Sequence, residues 1–169
     1  MAAQVLGQGA HGVGDVVALV EAAAPPDLAA SWDSNGLICG DPAEPVRSIL
    51  LAVDPVAAVV DEAIDAGVDM VITHHPLYLR GTEHVAATDP KGRTVHRLIR
   101  AGIALLNAHT SLDAAHGGVA DALAELLAPP RRRPRFVLEA APLTLIRPGG
   151  PDALGPVRRL LGRLAARGA

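Results

Sequence analysis

Three apolar runs of strand length each end in side chains that can ligate a metal ion or move a proton. Arg47-Ser48-Ile49-Leu50-Leu51-Ala52-Val53 ends at Asp54. Val68-Asp69-Met70-Val71-Ile72-Thr73 ends at His74-His75, before Pro76. Ile103-Ala104-Leu105-Leu106 ends at Asn107 and His109, with Asp113 four residues beyond His109. Histidine is the commonest metal ligand, and imidazole with carboxylate suits zinc, iron or manganese. Neighbouring residues of an extended strand point to opposite sides, so His74 and His75 serve one ion only if the backbone turns there. They reach two ions more easily, and a pair of metals about 3.5–4 Å apart is the usual hydrolytic clamp. The expected metal ligands are therefore His74, His75 and Asp113, with Asp113 the bridging candidate and up to two divalent ions per chain. His109 is the expected catalytic residue, since no other general base is evident. Such ions lower the pKa of water toward roughly 7 and polarise an electrophile.

The remaining polar residues read more plainly. Asp54 either orients a ligand or starts a turn before Pro55. Asp33 and Asn35 either line a substrate pocket or form an Asx-type turn. His84 lies in a loop, His96 on a helix face, His116 in a turn before Gly117-Gly118, and His11 in a Gly-rich leader. Cys39 has no partner base in the sequence and reads as a buried thiol. Neither GxxxxGK[ST] nor GxGxxG occurs, so no phosphate loop is expected.

The elements that must position these groups alternate. Val16–Ala24 reads as a helix capped by Asp15 and ended by Pro25-Pro26, with a short helix near Asp27–Ser31. Trp32–Leu37 is turn chemistry. Pro55 opens a helix from about Val56 to Ala66, stopped by Gly67. Leu77–Asp89 is a loop, Arg93–Arg100 a helix, and 118–127 another. Strand, helix, strand, helix, strand, helix predicts an α/β fold of parallel βαβ units with helices on both faces. Ligands of such sheets bind at the carboxyl ends of the strands, where the polar residues above fall.

The 169 residues suit one main domain. Residues 1–14 read as a flexible leader, 15–130 as an α/β metal-binding domain, and 131–169 as a basic tail. The first 130 residues hold 6 Lys+Arg against 16 Asp+Glu, and the last 39 hold 9 against 2. Aromatic residues are only Trp32, Tyr78 and Phe136, which argues against a stacking platform for single-stranded nucleic acid. No specific nucleic-acid partner is expected. No apolar run reaches the roughly 20 residues of a membrane span, and no basic n-region of a signal peptide is present. With a single cysteine, a reducing compartment and cytoplasmic location are expected.

In order, the motifs resemble those of the NIF-three-like proteins, also called GTP cyclohydrolase 1 type 2 homologues. They are Pro26-Asp27-Leu28-Ala29 running to Trp32-Asp33-Ser34-Asn35-Gly36-Leu37, Val53-Asp54 before Glu62-Ala63, Ile72-Thr73-His74-His75-Pro76-Leu77, and Asn107-Ala108-His109-Thr110-Ser111-Leu112-Asp113 leading to Gly117-Gly118-Val119-Ala120-Asp121. The likeness covers about residues 15–127. It implies a dinuclear metal site, a fold of two similar halves and a toroidal homo-hexamer. It also implies that His74 and His75 ligate different ions, with Asp113 shared or adjacent and His109 lining the site. A small-molecule substrate, such as a nucleotide, would follow.

The chain departs from the family in lacking a C-terminal His-x-x-x-Glu pair. It is therefore expected to be an incomplete member, with residues 131–169 a frameshifted, truncated or genuinely basic end. A metal-dependent hydrolase is the first expectation. A non-catalytic metal-binding scaffold or regulatory protein, or an inactive fragment, is the alternative.

Overall fold

The computed structural model describes residues 4–5 and 11–127. The basic tail lies outside the described residues. In chain order the elements are β1 (Gln4–Val5), β2 (His11–Gly12), α1 (Val13–Ala23), a 3-10 turn (Pro26–Leu28), β3 (Gly36–Cys39), β4 (Pro45–Val46) and β5 (Ser48–Ala52). They continue with α2 (Ala57–Ala66), β6 (Met70–Thr73), α3 (Pro90–Arg100), β7 (Ala104–Asn107), α4 (Thr110–Ala114) and α5 (Val119–Leu127).

The three apolar runs form the parallel centre of a five-stranded sheet, ordered β1-β5-β6-β7-β3. Side chains alternate across it. Ile49, Leu51, Met70, Ile72 and Leu106 pack against Val13, Val16 and Val20 of α1. Leu50, Val71 and Leu105 pack on the opposite face against Val59, Val60 and Ala63 of α2 and Val95 and Leu98 of α3. A two-residue period with both faces apolar is what makes these strands read as continuous hydrophobic runs. Helices thus cover both faces, as expected. α2 and α3 share one face because two successive crossovers of the same hand advance in the same direction across the sheet.

The sheet is mixed rather than wholly parallel. β1 pairs antiparallel with β5, and β3 pairs antiparallel with β7. β3 falls partly within the stretch read as a turn. Its four residues include Gly36 and an irregularity between Leu37 and Cys39, so no strand period shows until β7 supplies a partner.

Helix starts also differ. α1 begins at Val13, within the stretch read as leader. Asp15 therefore stands in its first turn rather than at its cap, and its carboxylate accepts the Gly12 N–H at 2.9 Å. α2 begins at Ala57 with Val56 as its cap, so Pro55 precedes the helix instead of opening it. The short helix expected near Asp27–Ser31 is the 3-10 turn Pro26–Leu28. Gly67 ends α2 in the left-handed region (φ 61°), and Asp89 caps α3 by accepting the Lys91 and Gly92 N–H groups.

Register decides where the polar residues emerge. Ala52 pairs with Thr73, and Thr73 with Asn107, so the three parallel strands end level. The residues that follow them leave the sheet along one edge.

Candidate metal centre

Parallel pairing continues briefly past the strands: the N–H groups of His74 and His75 donate to the carbonyls of Ala52 and Val53, and that of Ala108 to Thr73. The Thr73 hydroxyl then donates to the His75 carbonyl at 2.9 Å and fixes a bend. This bend satisfies the condition for a neighbouring pair to share one centre. The His74 and His75 ring centroids lie 5.0 Å apart, and that of His109 lies 5.1 Å from His74 and 5.5 Å from His75. One ligating nitrogen from each ring lies within 4.8 Å of the others.

Each ring has its Nδ1 committed to an acceptor. For His74 it is the Ala108 carbonyl at 3.2 Å, for His75 the Asp54 carboxylate at 2.6 Å, and for His109 the Asp33 carboxylate at 2.8 Å. Such outer partners fix the tautomer and orientation of metal-ligating histidines and leave Nε2 to face the ion. Asp54 thus orients a histidine. Asp113, in the single turn of α4 that follows His109, places Oδ1 at 3.7 Å from His74 Nε2. That is too long for a hydrogen bond. It suits two ligands spanning an ion, because nitrogen and oxygen each about 2.1 Å from a tetrahedral centre stand about 3.4 Å apart. The donor set, three imidazoles and a carboxylate, fits a divalent transition metal.

Burial pushes the His74 imidazole below its ordinary pKa; Asp113 and the Ala108 carbonyl oppose this, and the His109 and His75 rings add to it. The neutral ring is the form that ligates.

The WDSNG segment, left between pocket and turn by its sequence, makes the local hydrogen bonds of a turn and holds His109. The buried Asp33 carboxylate accepts from the Ser34 N–H (2.8 Å), the Asn35 amide (3.0 Å), the Thr110 N–H (3.0 Å), the Thr110 hydroxyl and His109 Nδ1. Burial alone would raise its pKa, but these donors, led by the Thr110 hydroxyl and His109, hold it well below the usual carboxylate range. Asn35 Oδ1 accepts the His109 N–H at 2.6 Å. Trp32 stands edge-on to the His109 ring, with centroids 6.1 Å apart.

Other residues stay outside the cluster. Asn107 is buried and donates to the Ser34 carbonyl. His116 is exposed beside Asp121, His96 is half-buried on α3, and His11 is in β2. Cys39 is half-buried rather than buried, packed against the α2–α3 core, where burial pushes its thiol pKa up. Thr73 and Thr110 were not singled out from sequence. Their hydroxyls sit beside the motif histidines in the chain, which was the available signal.

The fold and cluster define a class: an α/β protein with a histidine–carboxylate cluster at the carboxyl ends of parallel strands. The chain belongs to the Duf34/NIF3 (NGG1p interacting factor 3) family, whose profile matches residues 11–135. A GTP cyclohydrolase 1 type 2 homolog of Streptomyces coelicolor is 46% identical over 151 residues, covering 89% of this chain and 48% of that protein. The homolog of the same name in Mycobacterium tuberculosis is 54% identical over 110 residues, covering 65% of this chain and 28% of that one. A Bacillus cereus protein related to NIF3 superposes with TM-score 0.64 at 36% identity, over 70% of this chain and 33% of that one. Reduced HcgD from Methanocaldococcus jannaschii superposes with TM-score 0.63 at 31% identity, over 75% and 48%. The chain thus spans about half or less of the relatives it matches.

Proposed function

We propose that this chain binds one or two divalent metal ions through His74, His75 and Asp113, with His109 beside them, and that the centre serves a metal-dependent hydrolase. The observation that carries the reading is the set of three rings, each with Nδ1 held by an acceptor and all converging within 4.8 Å. A divalent ion, zinc, iron or manganese, would supply Lewis-acid activation of water and electrophile. The chain's own part is to hold neutral imidazoles in place. Asp33 and Asp54 orient two of them and the Ala108 carbonyl orients the third; where its Nε2 does not ligate, His109 would accept a proton from the reacting water. The substrate is a small molecule, such as a nucleotide, and the assembly a homo-hexamer, both resting on the family resemblance; a cytoplasmic location rests on the single cysteine. Among the described residues no helix is long and apolar enough to cross a membrane.

A second reading is a metal-binding scaffold without turnover. The donor set favours it in one respect: among the described residues Asp113 is the carboxylate nearest His74, and Asp33 and Asp54 are both engaged with ring nitrogens. Elemental mass spectrometry on the full chain and on a His74→Ala/Asp113→Ala variant tests both. Near-stoichiometric metal, lost in the variant, supports the centre; metal-free wild type after reconstitution rejects it. Hydrolysis of a phosphoester and nucleotide panel by the loaded protein then separates enzyme from scaffold.

A further inference from the structure

The segment between the histidine pair and α3 runs from residue 76 to 89 without helix or strand. Loops longer than about 12 residues are uncommon in compact domains and usually carry function. This one has a set shape. Leu77 is buried beneath it, the Thr82 hydroxyl donates to the His84 carbonyl at 2.8 Å, and Arg93 Nε donates to the Ala87 carbonyl at 3.1 Å. A Cβ on Gly92 would lie 2.2 Å from the Ala86 carbonyl oxygen, so only glycine lets the loop rest on the first turn of α3. The loop and that turn enclose an open cleft of about 760 Å³, lined by Tyr78, Arg80, Thr82, His84 and Lys91 among others. Small-molecule pockets commonly occupy about 300–1,000 Å³.

Cations are scarce in this part of the chain: 6 Lys+Arg in the first 130 residues. Arg47 pairs with Asp69, Arg97 with Asp61, and Arg93 is bound to a carbonyl. Arg80 and Lys91 both line the cleft, and neither has a carboxylate within ion-pair distance among the described residues. Lys91 Nζ lies 5.6 Å from the Tyr78 ring centroid, which holds it over the cleft wall. The one acid in the lining, Asp89, is turned to the Lys91 and Gly92 N–H groups as the α3 cap.

We propose that this cleft binds the phosphate group of a small molecule. Arg80 offers a planar fork of donors and Lys91 a point charge, a pairing that matches a multiply charged tetrahedral anion better than a carboxylate. Thr82, His84 and Thr88 add to the polar lining. The cleft lining shares no residue with the histidine cluster, and the proposal does not depend on metal binding there.

The test is calorimetric titration of the full chain with inorganic phosphate and with pyrophosphate, at low salt with a chelator present so that bound metal contributes nothing. Saturable binding at one site per chain is expected, weakened at least about tenfold by Arg80→Gln/Lys91→Gln, since each lost charge-assisted hydrogen bond suffices for that. Arg100→Gln, which removes an exposed cation elsewhere, leaves it unchanged. Absence of saturable binding, equal loss in Arg100→Gln, or acetate binding as tightly as phosphate overturns the proposal. Each single variant is measured as well, so a folding failure of the double variant does not decide the outcome.

Discussion

Asp33 and His109 stand 76 positions apart in the chain and 2.8 Å apart in space, carboxylate oxygen to ring Nδ1. The contact joins the segment before β3 to the end of β7 and turns the rest of the His109 ring toward His74 and His75. Asp33→Asn keeps the shape but weakens acceptance of the ring proton. Metal affinity should fall about 10–100-fold, as for other outer partners of ligating histidines. Competition with a chromophoric chelator measures it. An affinity equal to wild type would show that Asp33 has no part in the centre.

Metal should also stabilise the fold, because a ligand that binds only the folded state raises stability with its concentration. Chelator should lower the melting temperature of the wild type and leave that of His74→Ala unchanged. His116→Ala, altered at an exposed ring outside the cluster, should respond to chelator like the wild type. Differential scanning calorimetry reads all three.

Asp69 provides a pH test remote from the histidines. Its carboxylate accepts from the Arg47 and Ser48 N–H groups and the Ser48 hydroxyl, at 2.8–3.0 Å. Burial would raise its pKa, but these donors and the Arg47 guanidinium hold it below 3.8. A folded pKa below the unfolded one contributes stability that is complete above the unfolded value and lost as pH falls through the folded value. Asp69→Asn should therefore cost about 1–3 kcal/mol near neutrality. The gap to wild type should narrow below about pH 3.8. Urea melts across that range would show it, and a pH-independent gap would contradict it.

Leu98, on α3, is 1% exposed in the layer shared with Val60, Val71 and Leu105. Leu98→Ala should destabilise by about 2–5 kcal/mol through lost burial and the cavity left behind. Ile99→Ala, one residue on and 59% exposed, should change stability little. Equal effects would misplace the buried face of α3.

Much of the fold was legible because its signals are local. The runs ending at Asp54, His74 and Asn107 are continuous hydrophobic segments, as strands covered on both faces must be, and Gly67 and Pro90 punctuate the helices between them. β3 was not legible. Four residues with a glycine and an irregular step carry no period of their own, and β7 alone gives them a partner. Asp15 competed with Gly12 for the start of α1, and local propensity does not distinguish a capping side chain from an acid one turn in.

The candidate site divides in the same way. By itself, the sequence determined which side chains end each parallel strand, because strand length and hydrophobic run are properties of consecutive residues. It left open whether His74 and His75 face one centre, whether Asp33 forms only a turn, and what Asp54 holds. Tertiary structure decided these. The bend set by Thr73, the level ends of β5, β6 and β7, and the return of the chain through β3 bring groups from four distant segments together, and no pattern along the chain records a distance across it.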